Sequence, residues 1–280
     1  MNVPILTYPA IPTGVQETSH RALQADIETI ARLGITIVSL EQIVDALLSQ
    51  RLHELENRVG LCFDNGSLAD PENRADARET VHAGILKILD VFGRENYVHA
   101  THFVSGRGDH FASSADKQAW LSCDRSGLVK IESGGWLHDR QPPANHDAAM
   151  QEICGASEQI DSVLGPGYCR LYAYPASRYN DFLAQEFLPR FSSQHRLKAA
   201  FSTEAGAVTS EDNRWRLPRF VCGRDWQTTG DLAMLLKETR PRIQVAAAQP
   251  STQPVADTRY ESYSNIWDFR ARNEQAAMAA

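Results

Sequence analysis

The stretch VGLCFDNG, residues 59–66, decides the fold class of this chain. It opens with a short apolar run of strand length, and Asp64, Asn65 and Gly66 then supply a tight turn. A carboxylate on such a turn, at the mouth of a parallel sheet or barrel, is well placed to act as a general base. The alternative is structural, because an Asp at a strand end often caps the next helix or turn.

Apolar runs of the same kind recur along the chain and alternate with longer helical patterns. This alternation predicts parallel strands joined by crossover helices, in a barrel or an open sheet. In both arrangements the site lies at the C-terminal ends of the strands, where the loops converge. The predicted strands are Val3–Tyr8, Thr36–Leu40, Val59–Phe63, Val98–Val104, Leu128–Ile131, Cys169–Tyr174 and Lys198–Ser202, and the predicted helices are about His20–Leu33, Glu41–Ser49, Asn73–Phe92, Ala148–Leu164 and Asp181–Phe191.

The charge and the composition of the chain limit which binding partners and which cellular compartment are expected. The 280 residues carry a formal net charge of −7, which argues against nucleic acid or an anionic membrane as the main partner. No apolar run approaches the roughly 20 residues that cross a bilayer, and the N-terminus lacks the features of a secretory signal peptide. The five widely spaced cysteines suit reduced thiols better than a disulfide framework. We therefore expect a cytoplasmic protein.

The character of the sequence changes near residue 245. Residues 1–244 are predicted to form one domain, and residues 245–280 begin with a linker rich in Ala, Pro and Gln. The tail beyond the linker carries four aromatic residues, which would dock back on the domain or on another chain, because exposed aromatics are costly to leave in water. Docking on another chain would make a homo-oligomer. These aromatics are Tyr260, Tyr263, Trp267 and Phe269.

Two further predicted strands end in polar residues. The run 128–131 leads into ESGGWLHD, where two glycines allow a sharp turn before His138 and Asp139. A loop His is more often a hydrogen-bonded surface residue than a ligand, and His146 does not complete a strict metal-ligand spacing. The run 169–174 leads into YPASRYN, whose aromatics and Arg suit sugar binding through stacking and hydrogen bonds, or an ordinary turn with a helix N-cap.

Taken in order, these segments resemble the polysaccharide deacetylases of carbohydrate esterase family 4 over about residues 3–226. The resemblance implies a distorted barrel of about seven β/α units, an α/β fold. It also implies an Asp that acts as base, a second Asp and two His that hold a divalent metal, usually zinc, and a further His as general acid. The segments that carry it are VPILTYPAI, LGITIVSLEQIVDALL, VGLCFDNG, HATHFVSG, SGLVKIESGGWLH, YAYPASRYN (family pattern A-Y-P-x-G-x-Y-N) and RLPRF.

Carried over residue by residue, the resemblance retains the base and loses most of the metal site. Asp64 stands at the base position, Asn65 replaces the metal-binding Asp, and Gly134 replaces the first metal His. His138 keeps the second His position, and no late general-acid His follows RLPRF. Because Asn is neutral and Gly has no side chain, we expect zinc to be held weakly or not at all.

Two functions follow from this resemblance. The first is a hydrolase that cleaves acetamide or acetyl ester bonds of an acetylated saccharide or an intracellular sugar precursor. The second is an inactive protein of the same fold that binds a saccharide or a partner protein. The candidate residues are Asp64 and His138 for catalysis, Tyr8, Trp136, Tyr174 and Arg178 for substrate binding, and His138 with Asn65 for a weak metal site, with His102, His146 and Asp139 as substitute ligands.

Overall fold

The computed structural model describes residues 1–8, 16–64, 99–106, 114–136 and 141–239. All of them belong to the compact unit Met1–Pro241. Asn65, His138, Asp139, the predicted helix Asn73–Phe92 and the tail 245–280 lie outside the described residues.

The described ranges contain one curled, mixed sheet of nine strands. Its main path has the order β7-β6-β5-β4-β3-β1-β8, while β2 pairs with β3 and β9 pairs with β1. All strand pairs are parallel except β1 with β8. The strands are β1 Val3–Tyr8, β2 Thr36–Val38, β3 Arg58–Asp64, β4 Ala100–Val104, β5 Val129–Ser133, β6 Leu171–Ala173, β7 Ala199–Phe201, β8 Ala207–Val208 and β9 Phe220–Val221.

Helices cover the outside of this sheet and follow most of the strands. Two segments, Met150–Gly155 and Phe182–Phe187, are π-helical. The α-helices of the described residues are α1 Gln16–Arg32, α2 Leu40–Leu48, α3 Ser114–Arg125, α4 His146–Ala149, α5 Ala156–Leu164, α6 Leu188–Arg190, α7 Ser192–His195 and α8 Thr229–Glu238. Within these ranges we find no helix with both the length and the apolar character that a membrane crossing requires.

The predicted α/β architecture is confirmed, and each of the predicted strands overlaps an observed one. The sequence analysis missed β8 and β9, because two-residue strands are too short to show a period. It also missed α3 and α8. Helix α3 is mostly polar, so its sequence, SADKQAWLSCDR, shows only a weak apolar stripe.

Both faces of the sheet are buried. One apolar layer lies between the sheet and the outer helices, and a second lies on the inner side of the curled sheet. Residues of β3 alternate between them: Leu61 and Phe63 belong to the outer layer, against the helices, and Cys62 belongs to the inner one. This is the period of two expected of a strand. Asp64 is next in the alternation after Phe63, so it lies on the inner side of the barrel at its mouth. The inner layer also contains Val3, Ile5, Phe103, Leu171, Ala173, Ala199 and Phe201.

Helix α2 closes the end of the barrel opposite Asp64. Its buried face, which includes Leu40 and Ile43, joins the inner layer. Gly60, near the start of β3, allows this close approach, because a Cβ there would lie 2.8 Å from Ile43 Cδ1 and 3.0 Å from Leu40 Cδ1. Ser39 begins the helix with a capping box that includes Gln42.

Ion pairs connect α2 to the N-terminal ends of β5 and β7. Glu41 contacts Lys130 of β5 at 2.7 Å and Lys198, just before β7, at 2.8 Å. Lys198 also contacts Asp45 at 2.8 Å. Burial alone would raise the pKa of Glu41, but the two lysines outweigh it and lower the pKa from 4.5 to about 2.

This shift predicts a loss of stability in acid. Because the folded-state pKa is lowered, the contribution of Glu41 is complete above about pH 4.5 and is lost as the pH falls toward about 2. Glu41 is partly exposed, so we expect solvent screening to limit this contribution to about 1–2 kcal/mol. In urea unfolding, the stability difference between the wild type and Glu41→Gln should shrink as the pH is lowered through this range. The matched control is Glu54→Gln, and a difference for Glu41→Gln that stayed constant would contradict the prediction.

Candidate functional site

A buried ion pair lies at the mouth of the barrel. Arg219 donates from Nη1 to Asp64 Oδ1 at 2.6 Å and from Nη2 to Asp64 Oδ2 at 2.9 Å. The Arg219 side chain is fully buried, and that of Asp64 is 19% exposed. This fork geometry fixes the plane of the carboxylate and leaves one side of Asp64 facing outward.

The inner layer surrounds the guanidinium of Arg219. Its Nε donates to the carbonyl of Ser202 at 2.9 Å, and Nη1 lies 3.4 Å from Cys62 Sγ. The ring of Phe103 has its centroid 5.3 Å from the guanidinium carbon. Burial alone would lower the pKa of Arg219, but the Asp64 carboxylate outweighs it and raises the pKa. Arg219 is therefore a permanent buried cation.

A cavity of about 210 Å³ opens over this pair. It is smaller than the roughly 300–1,000 Å³ of typical ligand pockets, so it suits a small group of a larger ligand. Asp64 at the end of β3 and residues that follow β5, β6, β7 and β9 meet around it, as expected for the C-terminal mouth of a barrel. Its lining includes Asp64, Gly134, Tyr174, Ala176, Ser177, Thr203 and Arg224.

The loop after β6 meets this cavity in a strained conformation. Ala176 and Ser177 have φ of +48° and +60°, in the left-handed region that favours glycine. The hydroxyl of Ser177 accepts the backbone N–H of Thr203 at 2.6 Å, which ties the loop after β6 to the loop after β7. Strain of this kind costs about 1–3 kcal/mol per residue and concentrates at ligand sites.

Arg224 forms part of the rim. Its Nη2 donates to the carbonyl of Thr203 and to Asp225 Oδ2, both at 2.7 Å, and its Nε donates to Asp225 Oδ1 at 3.0 Å. The side chain is 49% exposed. Arg224 also lines a larger groove of about 700 Å³ beside α8, so it stands between the two cavities.

The loop after β5 turns tightly at two glycines. A Cβ on Gly134 would lie 3.3 Å from the carbonyl oxygen of Val104. Gly135 has φ of +89°, and a Cβ there would lie 2.3 Å from Glu152 Oε1. The same Glu152 oxygen accepts the backbone N–H of Trp136 at 3.0 Å, so the buried carboxylate holds the turn.

Part of this site lies within a segment that matches a known protein family. Residues 53–187, which include Asp64 and both glycines, match the family model described as polysaccharide deacetylase. Residues 53–187 are a domain of the polysaccharide deacetylase family. No curated relative matches the chain at the level of sequence.

Solved structures agree with this polysaccharide deacetylase fold. The deacetylase PplD of Streptococcus pyogenes, in complex with acetate, has 18% identity and a TM-score of 0.65, covering 84% of this chain and 98% of its own. A polysaccharide deacetylase from Bacillus cereus has 14% identity and a TM-score of 0.62, with 84% and 69% covered. A de-N-acetylase from Aggregatibacter actinomycetemcomitans has 16% identity and a TM-score of 0.59, with 83% and 100% covered.

The predicted substrate-binding residues of this deacetylase domain lie in different surroundings. Tyr174 lines the cavity, and its buried hydroxyl donates to the carbonyl of Trp215 at 2.7 Å. Trp136 ends the glycine turn and is half-buried, and Arg178, just beyond the strained loop, is exposed. Tyr8 is 6% exposed in the outer layer, where its hydroxyl donates to Asp26 at 2.8 Å.

The described substitute ligands do not meet Asp64. His102 pairs in register with Phe63, on the face of the sheet opposite Asp64, and its ring lies 5.8 Å from that of Trp120. His146 begins α4 and packs on Phe191, with ring centroids 4.7 Å apart. The other candidate ligands, Asn65, His138 and Asp139, lie outside the described residues.

The described mouth also does not fit the divalent metal that the family implies. Both oxygens of Asp64 are held by Arg219, and Gly134, at the position of the first family His, has no side chain. The nearby groups are hydroxyls and guanidinium groups, which do not replace carboxylates and imidazoles as ligands. The part of the chain that the structure describes contains no cluster of three His, Cys, Asp or Glu residues that could hold a metal ion.

Four residues of the mouth were absent from the predicted site: Ser177, Thr203, Arg219 and Arg224. For Arg219 there was a signal, since RLPRF resembles the basic segment near the end of the family pattern. For Ser177 the signal was the family motif itself, which has glycine at this position. Thr203 and Arg224 gave no signal, because each lies on a loop without a distinctive pattern.

The buried ion pair predicts a large effect of removing the Asp64 carboxylate. Asp64→Ala leaves the buried Arg219 cation unpaired, so we expect the free energy of unfolding to fall by about 3–5 kcal/mol. Chemical denaturation measures this loss. The control Glu186→Ala breaks the exposed pair with Arg190, which should cost no more than about 1 kcal/mol. Equal losses in the two variants would show that Arg219 does not need its partner.

Proposed function

We propose that this polysaccharide deacetylase domain binds an acetylated saccharide and that the acetyl group enters the cavity over Asp64. The observation that carries the proposal is the carboxylate itself, held in one orientation by the buried Arg219 at a cavity of about 210 Å³. A cavity of this size suits an acyl group better than a whole oligosaccharide.

Two further observations support an acyl ligand. The deacetylase of Streptococcus pyogenes, which shares this fold, was crystallised in complex with acetate. The rim also carries polar hydrogens of Ser177 and Arg224 that suit a carbonyl oxygen. Tyr174 is buried and its ring contacts that of Tyr179, so the partly exposed Tyr179 is the aromatic residue that would support a sugar ring outside the cavity.

Binding without hydrolysis is the form of this function that the described residues favour. They supply no set of metal ligands, and Arg219 already occupies both oxygens of Asp64. The second candidate is hydrolysis, which the preorganised carboxylate favours. In it Asp64 would take the proton of an attacking water, with His138 as metal ligand or acid. In both cases the ligand is an acetylated saccharide or a sugar precursor.

Calorimetric titration with chito-oligosaccharides tests the binding proposal. N-acetylated oligomers should bind the wild type at least about tenfold more tightly than their deacetylated counterparts, because only they carry the acyl group. Asp64→Asn should weaken this binding. Its amide oxygen still accepts from Arg219, but the negative charge and one acceptor are lost, so circular dichroism should first establish that the variant is folded. The matched control is Asp147→Asn, at an exposed side chain on α4. Equal affinity for both kinds of oligomer would overturn the proposal.

Acetate release from the same N-acetylated oligomers separates the two candidates. We expect no release above that of Asp64→Asn, with or without added zinc, and substoichiometric zinc in elemental analysis of the purified protein. Zinc-dependent release that is abolished by both Asp64→Asn and His138→Ala would instead establish the hydrolase. The control is His53→Ala, which removes an exposed His far from the mouth. It tests whether the loss of any His side chain lowers zinc-dependent release.

A further inference from the structure

Three side chains outside the lining of the cavity form a second cluster beside it. The hydroxyl of Tyr179 donates to Glu204 Oε1, and the guanidinium carbon of Arg216 lies 5.7 Å from the centroid of the Tyr179 ring. Arg216 Nε lies 3.9 Å from Glu204 Oε2. Each side chain of the cluster thus contacts the other two, and we call Tyr179, Glu204 and Arg216 the Tyr179 triad.

The surrounding structure holds the Tyr179 triad at a fixed place relative to Asp64. The ring of Tyr179 has its centroid 5.1 Å from that of Tyr174, which lines the cavity. The backbone carbonyl of Glu204 accepts the N–H of Arg219 at 3.0 Å, and Arg219 is the residue that pairs with Asp64. A ligand that enters the cavity therefore passes next to the triad.

The charged groups of the Tyr179 triad keep most of their hydrogen-bonding capacity. The side chains of Arg216 and Glu204 are 47% and 56% exposed, and the 3.9 Å between them is longer than a hydrogen bond. A guanidinium has five N–H donors, and most of those of Arg216 have no acceptor among the described residues. An exposed ion pair of this kind contributes little to stability, so Arg216 can reorient toward a ligand.

A neutral polyol complements this set of groups better than an ion of either sign. An anion would meet the carboxylate of Glu204, and a cation would meet the guanidinium of Arg216. A sugar hydroxyl both donates and accepts, so neighbouring hydroxyls can donate to Glu204 and accept from Arg216. The ring of Tyr179 adds an apolar surface for the C–H groups of a sugar ring.

We propose that the Tyr179 triad is a second saccharide subsite, which binds the sugar residue adjacent to the one whose acetyl group enters the cavity over Asp64. Glu204 and Arg216 recognise its hydroxyls, and Tyr179 supports its ring. The inference rests on the proposed function for the position of the first sugar residue. It makes the three residues specificity determinants for a ligand longer than a monosaccharide.

Calorimetric titration with N-acetylglucosamine and with its β-linked trisaccharide, N-acetylchitotriose, measures the gain in affinity from extension of the ligand. The wild type should bind the trisaccharide at least about tenfold more tightly than the monosaccharide. Glu204→Gln and Arg216→Gln should each lower this ratio about fivefold, because each removes the charge from one hydrogen-bonding partner. Tyr179→Phe keeps the ring and should retain more of the ratio than Tyr179→Ala.

The matched controls change an exposed ion pair of similar length. Glu186 and Arg190 lie 3.8 Å apart, and Glu186→Gln and Arg190→Gln should keep the wild-type ratio. A wild-type ratio near one, or triad variants that behave like these two controls, would overturn the subsite.

Acetyl recognition is measured separately, by comparing N-acetylchitotriose with cellotriose, which is also neutral and carries no acetyl group. The triad variants should keep the wild-type preference for the acetylated trisaccharide, because they leave the cavity over Asp64 unchanged. Equal affinity for the two trisaccharides, with an extension ratio that still depends on the triad, would overturn acetyl recognition alone. A preserved acetyl preference without a gain from extension would overturn the subsite alone, and no binding of any saccharide would overturn both.

Discussion

The guanidinium of Arg219 is buried beside the rings of Phe103 and Phe201 at the mouth of the barrel, and its charge has to be matched there. Asp64 is its opposing charge. Because burying a lone ion costs several kcal/mol, the strand that ends at Asp64 and the segment before β9 are held in fixed relation. The position of the cavity over Asp64, and the orientation of the carboxylate within it, follow from this pair.

The two ends of the barrel have different physical roles. At one end, α2 enters the inner layer over Gly60, and Glu41 ties it to two strand starts. At the other end, the loops after β5, β6, β7 and β9 meet around Asp64. Loss of metal-ligating side chains at the mouth would therefore leave the packing of the opposite end intact. The fold is accordingly compatible with Gly134 and Asn65 at the positions that the resemblance assigns to metal ligands.

Much of the fold could be predicted from the sequence, because buried strands and amphipathic helices carry local periods. The predicted strands ending at Tyr8, Phe63 and Tyr174 overlap observed strands, and the rule for parallel sheets directed attention to their C-terminal ends. The site was less predictable. Asp64 and Tyr174 lie at one cavity, as predicted, but Arg219 is 155 positions from its partner in sequence. No local pattern could show that pairing, nor that His102 faces the helices, since a strand's sequence does not say which face is inside when both are buried.

At Ser177, the backbone conformation and the hydrogen bond between two loops favour different residues. A glycine at position 177 would relieve the unfavourable backbone conformation, yet it would remove the hydroxyl that joins two loops of the mouth. Directed evolution for heat resistance alone would accordingly be drawn to this position and would weaken ligand recognition as a side effect. Thermal robustness and molecular recognition are thus in competition at a single side chain.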